Sequence, residues 1–437
     1  MSVPLDRLYN FLYDVMHLDD IVIYGFSPHG SRKLEDLKIW FDIKEYPWLR
    51  RMTTPCLIFH DQEPLNYNFY SDDQFNDYVN AYGGYFPSED PKKLVASMHL
   101  RACIQLPLNA YDQILLCHSE KNSSDLELYK QHGFIGVYFW SHALIARDWY
   151  RFANLDPKLI PDFKNISHDF LIYNRAWTGT REYRLTLAEI LANNNLIPCC
   201  NTKFSEVDGQ STYTQHVFSN PDLAISRQDL HQLYPANTHN ATSSADYTSQ
   251  DYATSAIEIV LETLFDDSRH HLTEKTLRPI ACGRPFILAA TPGSLQYLKH
   301  YGFKTFDGLI DETYDTIVNP RKRLEAIAQE MQRISCLTQN EKKVLWSKLY
   351  TIAEQNKKLF FSVEWHNSIV KEFKDNFNSG MKQLTATGKY QQELERMALT
   401  DPALASCRSN DSLLSHGPTL QDREALKRWI KEKNPLT

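Results

Sequence analysis

The chain reads as an α/β protein with a mainly parallel sheet, and three observations carry that reading. Short apolar, β-branched runs recur along it, each run ends in polar residues, and helix-length segments separate one run from the next. The first run is Ile21 to Phe26, followed by the loop Ser27 to Ser31 and a helical stretch from Lys33 to Trp40. Strand candidates follow at Cys56–His60, Ile114–His118 and Phe134–Phe139. A second series opens at Asp169–Asn174, and Tyr183, Leu185, Leu187, Ile190 and Leu191 then repeat at helical spacing between Arg181 and Asn193. The polar stretch from Asn237 to Tyr252 reads as an exposed loop. Beyond it, Ala256 to Phe265 reads as a strand, Glu274 to Cys282 as a helix, Phe286 to Ala289 as a strand and Ser294 to Tyr301 as a helix. The pattern is helical from Arg321 to Phe377, and the last forty residues read as a helical appendage. Two prolines between Leu155 and Asp162 suit a linker there. The expected domains are therefore 1–160, 165–320 and a helical extension over 321–437.

Composition bounds the function. With 437 residues, 42% of them hydrophobic and 23% charged, the chain suits two globular domains and an extension. Its 47 Lys and Arg against 54 Asp and Glu leave a net charge of -7, which excludes nucleic-acid binding by blanket positive charge. Basic residues at Arg32 and Lys33, Arg50 and Arg51, Lys92 and Lys93, and Arg147 and Arg151 still offer local contacts for phosphates. Eight irregularly spaced cysteines make no disulfide framework, so a reducing, cytoplasmic location is expected. No apolar run approaches the ~20 residues of a membrane span, and the amino terminus lacks a cleavage-site pattern.

The most informative segment is His271 to Leu288, HLTEKTLRPIACGRPFIL. Thr273 can cap a helix starting at Glu274, Gly283 can end it, and Pro285 leads into a buried strand. Free amide hydrogens at such a start favour a phosphate. Glu274 is suited to ribose hydroxyls, and Lys275 to the charge of a departing diphosphate. On the other side of the expected boundary, Asp61 and Glu63 follow the strand Cys56–His60, so either carboxylate is placed to deprotonate an acceptor hydroxyl. His118, His142 and Asp148 form a further polar group on the acceptor side. No metal site is expected: Asp266-Asp267 lacks the spacing of a metal-binding acidic motif, and Cys199-Cys200 lacks that of zinc ligands. No glycine-rich dinucleotide or Walker motif is present, so no further cofactor is expected.

The run HLTEKTLRPIACGRPFIL resembles the Glu-Lys helix of the donor domain in GT-B glycosyltransferases, especially fucosyltransferase-like and bacteriophage-encoded members. Phe170 to Arg175 followed by Thr178-Gly-Thr-Arg181 resembles the first strand and donor loop of the same domain, and His60 to Pro64 and Trp140 to Trp149 resemble segments of phage proteins of this kind. The resemblance implies a GT-B-like fold, two Rossmann-like domains facing a central cleft with carboxy-terminal helices. It implies that Asn174, Arg175 and Arg181 join Thr273, Glu274 and Lys275 at a nucleotide-diphosphate sugar, UDP-linked by analogy with the group. Its phage members that glucosylate or arabinosylate 5-hydroxymethylcytosine imply DNA as the acceptor. Transfer to lipopolysaccharide or another glycan, and non-catalytic nucleotide or glycan binding on the same fold, stand beside that reading. The acidic net charge favours the glycan acceptor over DNA.

Overall fold

A computed structural model describes residues 8, 22–25, 56–60, 64–65, 114–131, 134–236 and 246–386. The architecture is α/β with parallel sheets. Within the described chain, Lys121–Ser123 and Ser141–Ile369 form a larger unit; Ser124–Trp140 and the residues from Val370 onward belong to a smaller one. The catalytic candidates Asp61 and Glu63 lie outside the described residues, as do the stretch from Ser27 to Trp40, the basic pairs before residue 100 and the last forty residues.

The smaller unit carries four parallel strands in chain order, β1 (Val22–Gly25), β2 (Cys56–His60), β3 (Ile114–His118) and β4 (Phe134–Tyr138). Helix α1 (Ser124–Gln131) makes the crossover from β3 to β4. It lies close to β4: a Cβ on Gly136 would sit 2.9 Å from a methyl of Leu126, so a larger residue there would require the leucine to shift.

The larger unit begins with α2 (Ser141–Trp149) and continues through β5 (His168–Ile172), α3 (Tyr183–Asn193), β6 (Cys200–Thr202), a two-stranded ribbon of β7 (Val207–Asp208) and β8 (Ser211–Thr212), and the short helices α4 (Leu230–Leu233) and α5 (Ser249–Thr254). Then come β9 (Ser255–Leu261), α6 (Glu274–Cys282), β10 (Phe286–Ala289) and α7 (Ser294–His300). Two long helices follow, α8 (Pro320–Ser335) and α9 (Gln339–Phe361), and then α10 (Val363–Ala386), which from Val370 onward belongs to the smaller unit. The sheet order is β10-β9-β5-β6, all parallel. Every residue of β9 is buried, as a strand covered on both faces requires, and the one charge within it, Glu258, is paired with Arg278.

Two expectations change. The stretch from Asn237 to Tyr252 is not an exposed loop over its described part: Ser249–Thr254 is helical, Tyr252 is buried with its hydroxyl on Glu258 at 2.5 Å, and Ser249 Oγ donates to Asp156. Its tyrosines supply apolar rings that a count of polar residues overlooks. The strand expected to reach Phe265 stops at Leu261, because the Glu262 carboxylate turns to a neighbouring helix. The proline-bearing segment 155–162 runs within the larger unit, where Leu159 is buried and its carbonyl accepts from Arg284 at 2.8 Å.

Candidate functional site

The strand order of the larger unit locates the site. The chain leaves β5 to form β6 on one side and later returns to form β9 on the other, so the order reverses between β5 and β9. In open parallel sheets, ligands bind beyond the carboxyl ends of the strands at such a reversal, where successive loops diverge. The loop after β5 carries Tyr173, Asn174 and Arg175; the one after β9 carries Glu262 and Thr263 and leads to α6.

Helix α6 starts and stops as its residues dictate. Thr273 Oγ1 accepts from Lys275 N, and Gly283 adopts φ +65°, a left-handed conformation that suits glycine. The amide hydrogens expected to wait for a phosphate are engaged, however. Glu262, fully buried, accepts from Thr273 N at 2.9 Å and Thr276 N at 3.1 Å, and Lys275 N meets Thr273 Oγ1. The helix start is filled from within by a carboxylate at the end of the neighbouring strand. The strand assignment through Phe265 concealed Glu262, although a charged residue closing an apolar run was the available signal.

Side chains make up the rest of the site. Glu274, 5% exposed, places Oε2 3.4 Å from His142 Nδ1 on α2 and Oε1 2.8 Å from Lys275 Nζ. Lys275 Nζ also reaches Thr263 Oγ1 at 3.3 Å and Thr273 Oγ1 at 3.2 Å. The rings of His142 and His271 meet edge to face with centroids 5.4 Å apart. Tyr150 donates to the Glu274 carbonyl at 3.3 Å, and burial pushes its phenol well above the ordinary range. Arg175 is half-buried; burial, and next the nearby Arg278, lower its pKa, while Glu274 acts in the opposite direction.

Beneath them Arg278 and Glu258 form a fully buried pair at 2.5 Å, with the guanidinium 4.3 Å from the Tyr173 ring centroid. Burial alone would depress Arg278; Glu258 reverses this and holds it well above the usual arginine range.

The larger unit thus brings Thr273, Glu274 and Lys275 together with His142, which the sequence had grouped on the acceptor side, and places Arg175 within the electrostatic reach of Glu274. Other expected residues go elsewhere. Asn174 is buried and its amide donates to the Arg184 carbonyl. Arg181 ends the 3-10 turn Gly179–Arg181, near Asp208, whose Oδ2 accepts from Trp177 N at 2.8 Å and Thr178 N at 2.7 Å. Asp148 pairs with Arg151 at 3.2 Å. His118 belongs to the smaller unit, at the end of β3 with its ring edge-on to Tyr138. Arg147, one of the basic residues offered to DNA phosphates, is buried and donates to the carbonyls of Phe360, Phe361 and Ser362, capping the end of α9.

Among the described residues no group of His, Cys, Asp and Glu is arranged to hold a metal ion, and no helix is long and apolar enough to cross a membrane. Comparison with known protein families, curated proteins and solved structures finds no match to this chain.

Proposed function

We propose that the protein is a glycosyltransferase of GT-B type that transfers a sugar from a nucleotide-diphosphate sugar, with UDP as the nucleotide. The observation that carries this reading is the Glu274–Lys275 pair at the start of α6, after β9, with Arg175 on the loop after β5 near enough to feel the charge of Glu274, at the strand-order reversal between β5 and β9. Two cations there suit a diphosphate, and a carboxylate beside them suits ribose hydroxyls. The contacts to phosphate come from side chains, since Glu262 and Thr273 already take the helix amides.

In the reaction an acceptor oxygen bonds to the anomeric carbon as the bond from that carbon to the phosphate oxygen breaks. The electron pair leaves with the diphosphate, whose growing charge Lys275 and Arg175 meet. The acceptor's proton passes to a base, for which Asp61 and Glu63 are the sequence's candidates.

Titration calorimetry with uridine diphosphate sugars tests the donor site. Lys275→Ala and Arg175→Ala should each weaken binding by roughly 10- to 100-fold, the worth of a hydrogen bond to a charged group, with the fold retained. Unchanged affinity in both variants removes the assignment.

The resemblance supports a 5-hydroxymethylcytosine hydroxyl in DNA as acceptor. A glycan acceptor is the second reading, favoured by the net charge of -7 and by the use of Arg147 as a helix cap. A salt series separates them, because duplex DNA releases counterions on binding and loses affinity steeply with salt whereas a neutral glycan does not.

A further inference from the structure

We infer that Glu262 sets the charge selectivity of the donor site: its fixed negative charge, at the helix start, disfavours the nucleoside diphosphate product relative to the nucleotide sugar and so promotes product release. The inference rests on the reading of this site as one for a nucleotide-diphosphate sugar.

Glu262 is 0% exposed, and hydrogen-bond donors meet both of its carboxylate oxygens. Oε1 accepts from Thr273 N at 2.9 Å, Thr276 N at 3.1 Å and Thr276 Oγ1 at 2.5 Å; Oε2 accepts from Thr273 Oγ1 at 2.7 Å and Thr263 N at 3.1 Å. Three of these partners are amides, which can only donate, so a carboxylate matches them. The charge lies close to the cation assigned to the diphosphate. Thr273 Oγ1, bonded to Glu262, is also 3.2 Å from Lys275 Nζ, so one hydroxyl separates carboxylate from ammonium. A phosphate neutralised by Lys275 therefore lies in the field of Glu262.

That field acts unequally on donor and product. In the nucleotide sugar the terminal phosphate is a diester with a single negative charge. Breakage of the glycosyl bond leaves a terminal monoester phosphate, which carries roughly -1.5 to -2 at pH 7. The added charge, on the order of 8 Å from Glu262, meets a repulsion worth about 5- to 30-fold in affinity at the effective dielectric of a partly buried site.

The test compares uridine diphosphate with uridine diphosphoglucose by calorimetry on the full chain and on Glu262→Gln, with Glu262→Asp retaining the charge. Glu262→Gln should tighten the diphosphate relative to the sugar nucleotide by about 5- to 30-fold, and Glu262→Asp should keep the wild-type ratio. An unchanged ratio in a folded Glu262→Gln protein overturns the inference and leaves the donor site standing. If wild type binds neither nucleotide, the donor reading falls and takes this inference with it.

Should Glu262→Gln fail to fold, Glu262→Ser decides in the same way, with a buried water able to meet the amides of Thr273 and Thr276. The diphosphate should tighten relative to the sugar nucleotide by about 5- to 30-fold, and an unchanged ratio overturns the inference.

Discussion

Around α3 and at the start of α6, the larger unit holds carboxylates in different company: two backbone amides apiece around α3, side chains at Glu274. Glu182 takes the amide hydrogens of Ser219 and Asn220 at 2.8 and 3.0 Å and meets His216 Nε2 at 3.1 Å, Glu189 takes those of Ser226 and Arg227 at 2.6 and 2.9 Å, and the half-buried Asp208 takes those of Trp177 and Thr178. Glu274 meets the imidazole of His142 and the ammonium of Lys275. Amides are fixed donors, and each carboxylate of the first group holds two of them, so it ties loops to the fold whatever its side-chain partners do. Imidazole and ammonium can change partner, so Glu274 can exchange them for a substrate's hydroxyls. Glu262 lies between the extremes: its partners are amides and hydroxyls, yet one of those hydroxyls also touches Lys275. Burial of a carboxylate alone therefore does not mark a functional site; the chemistry of its partners does.

The largest expected effect lies in the ion pair beneath α6. Arg278→Met leaves Glu258 buried without its cation, and an unpaired buried charge typically costs ~3–5 kcal/mol. Urea unfolding should show a loss of that order; a smaller one, below about 1 kcal/mol, would mean that the tyrosines around Glu258 suffice to hold it.

Asp315 sharpens the comparison through pH. Its Oδ2 accepts from Leu295 N at 3.1 Å, as an amide-held carboxylate should, yet burial outweighs its hydrogen bonds and raises its pKa from 3.8 to about 6. The native state then holds the proton more tightly than the unfolded chain does. The resulting stabilisation is full below pH 4 and is lost as pH rises through about 6, a change on the order of 3 kcal/mol. Asp315→Asn keeps an acceptor oxygen for Leu295 and should flatten stability across that window. A pH dependence identical to wild type in thermal melts would show that Asp315 is not the group responsible.

A pair of substitutions tests the contrast itself. Glu182→Ala strands two amides and should destabilise by ~2 kcal/mol without altering affinity for a nucleotide sugar once the protein is folded. Glu274→Gln should shift stability by less than ~1 kcal/mol while weakening that affinity roughly tenfold or more. If the two variants exchange these outcomes, amide-held and side-chain-held carboxylates do not divide structure from function here.

The smallest effect is expected at an exposed helix end. Thr338 and Glu341 form a reciprocal capping box at the start of α9, with Glu341 Oε2 accepting from Thr338 N at 2.8 Å. Thr338→Ala should cost ~1 kcal/mol and leave ligand binding unchanged; a larger loss would mark the α8–α9 junction as part of the cooperative core.

Local chemistry was enough to define several elements. The sequence alone marked α6 from Glu274 to Cys282, with Thr273 before it and Gly283 after it, because capping bonds span only a few residues and glycine uniquely tolerates the left-handed stop. It likewise marked β2, β3 and β10, whose apolar runs are the length of a buried strand. Lys275 and Glu274 were legible for the same reason, being the first residues of a helix whose start was plain. Strand order was not legible: a parallel sheet pairs strands through crossovers that leave no mark in residue spacing, and the reversal between β5 and β9 emerges only from the pairing of strands in three dimensions. The meeting of His142 with Glu274, the capture of the α6 amides by Glu262 and the burial of Arg147 at the end of α9 arise in the same way. Each joins groups from separate elements, and a side chain's partner there is set by which surfaces pack together, a choice made by the whole apolar core rather than by any local run of residues.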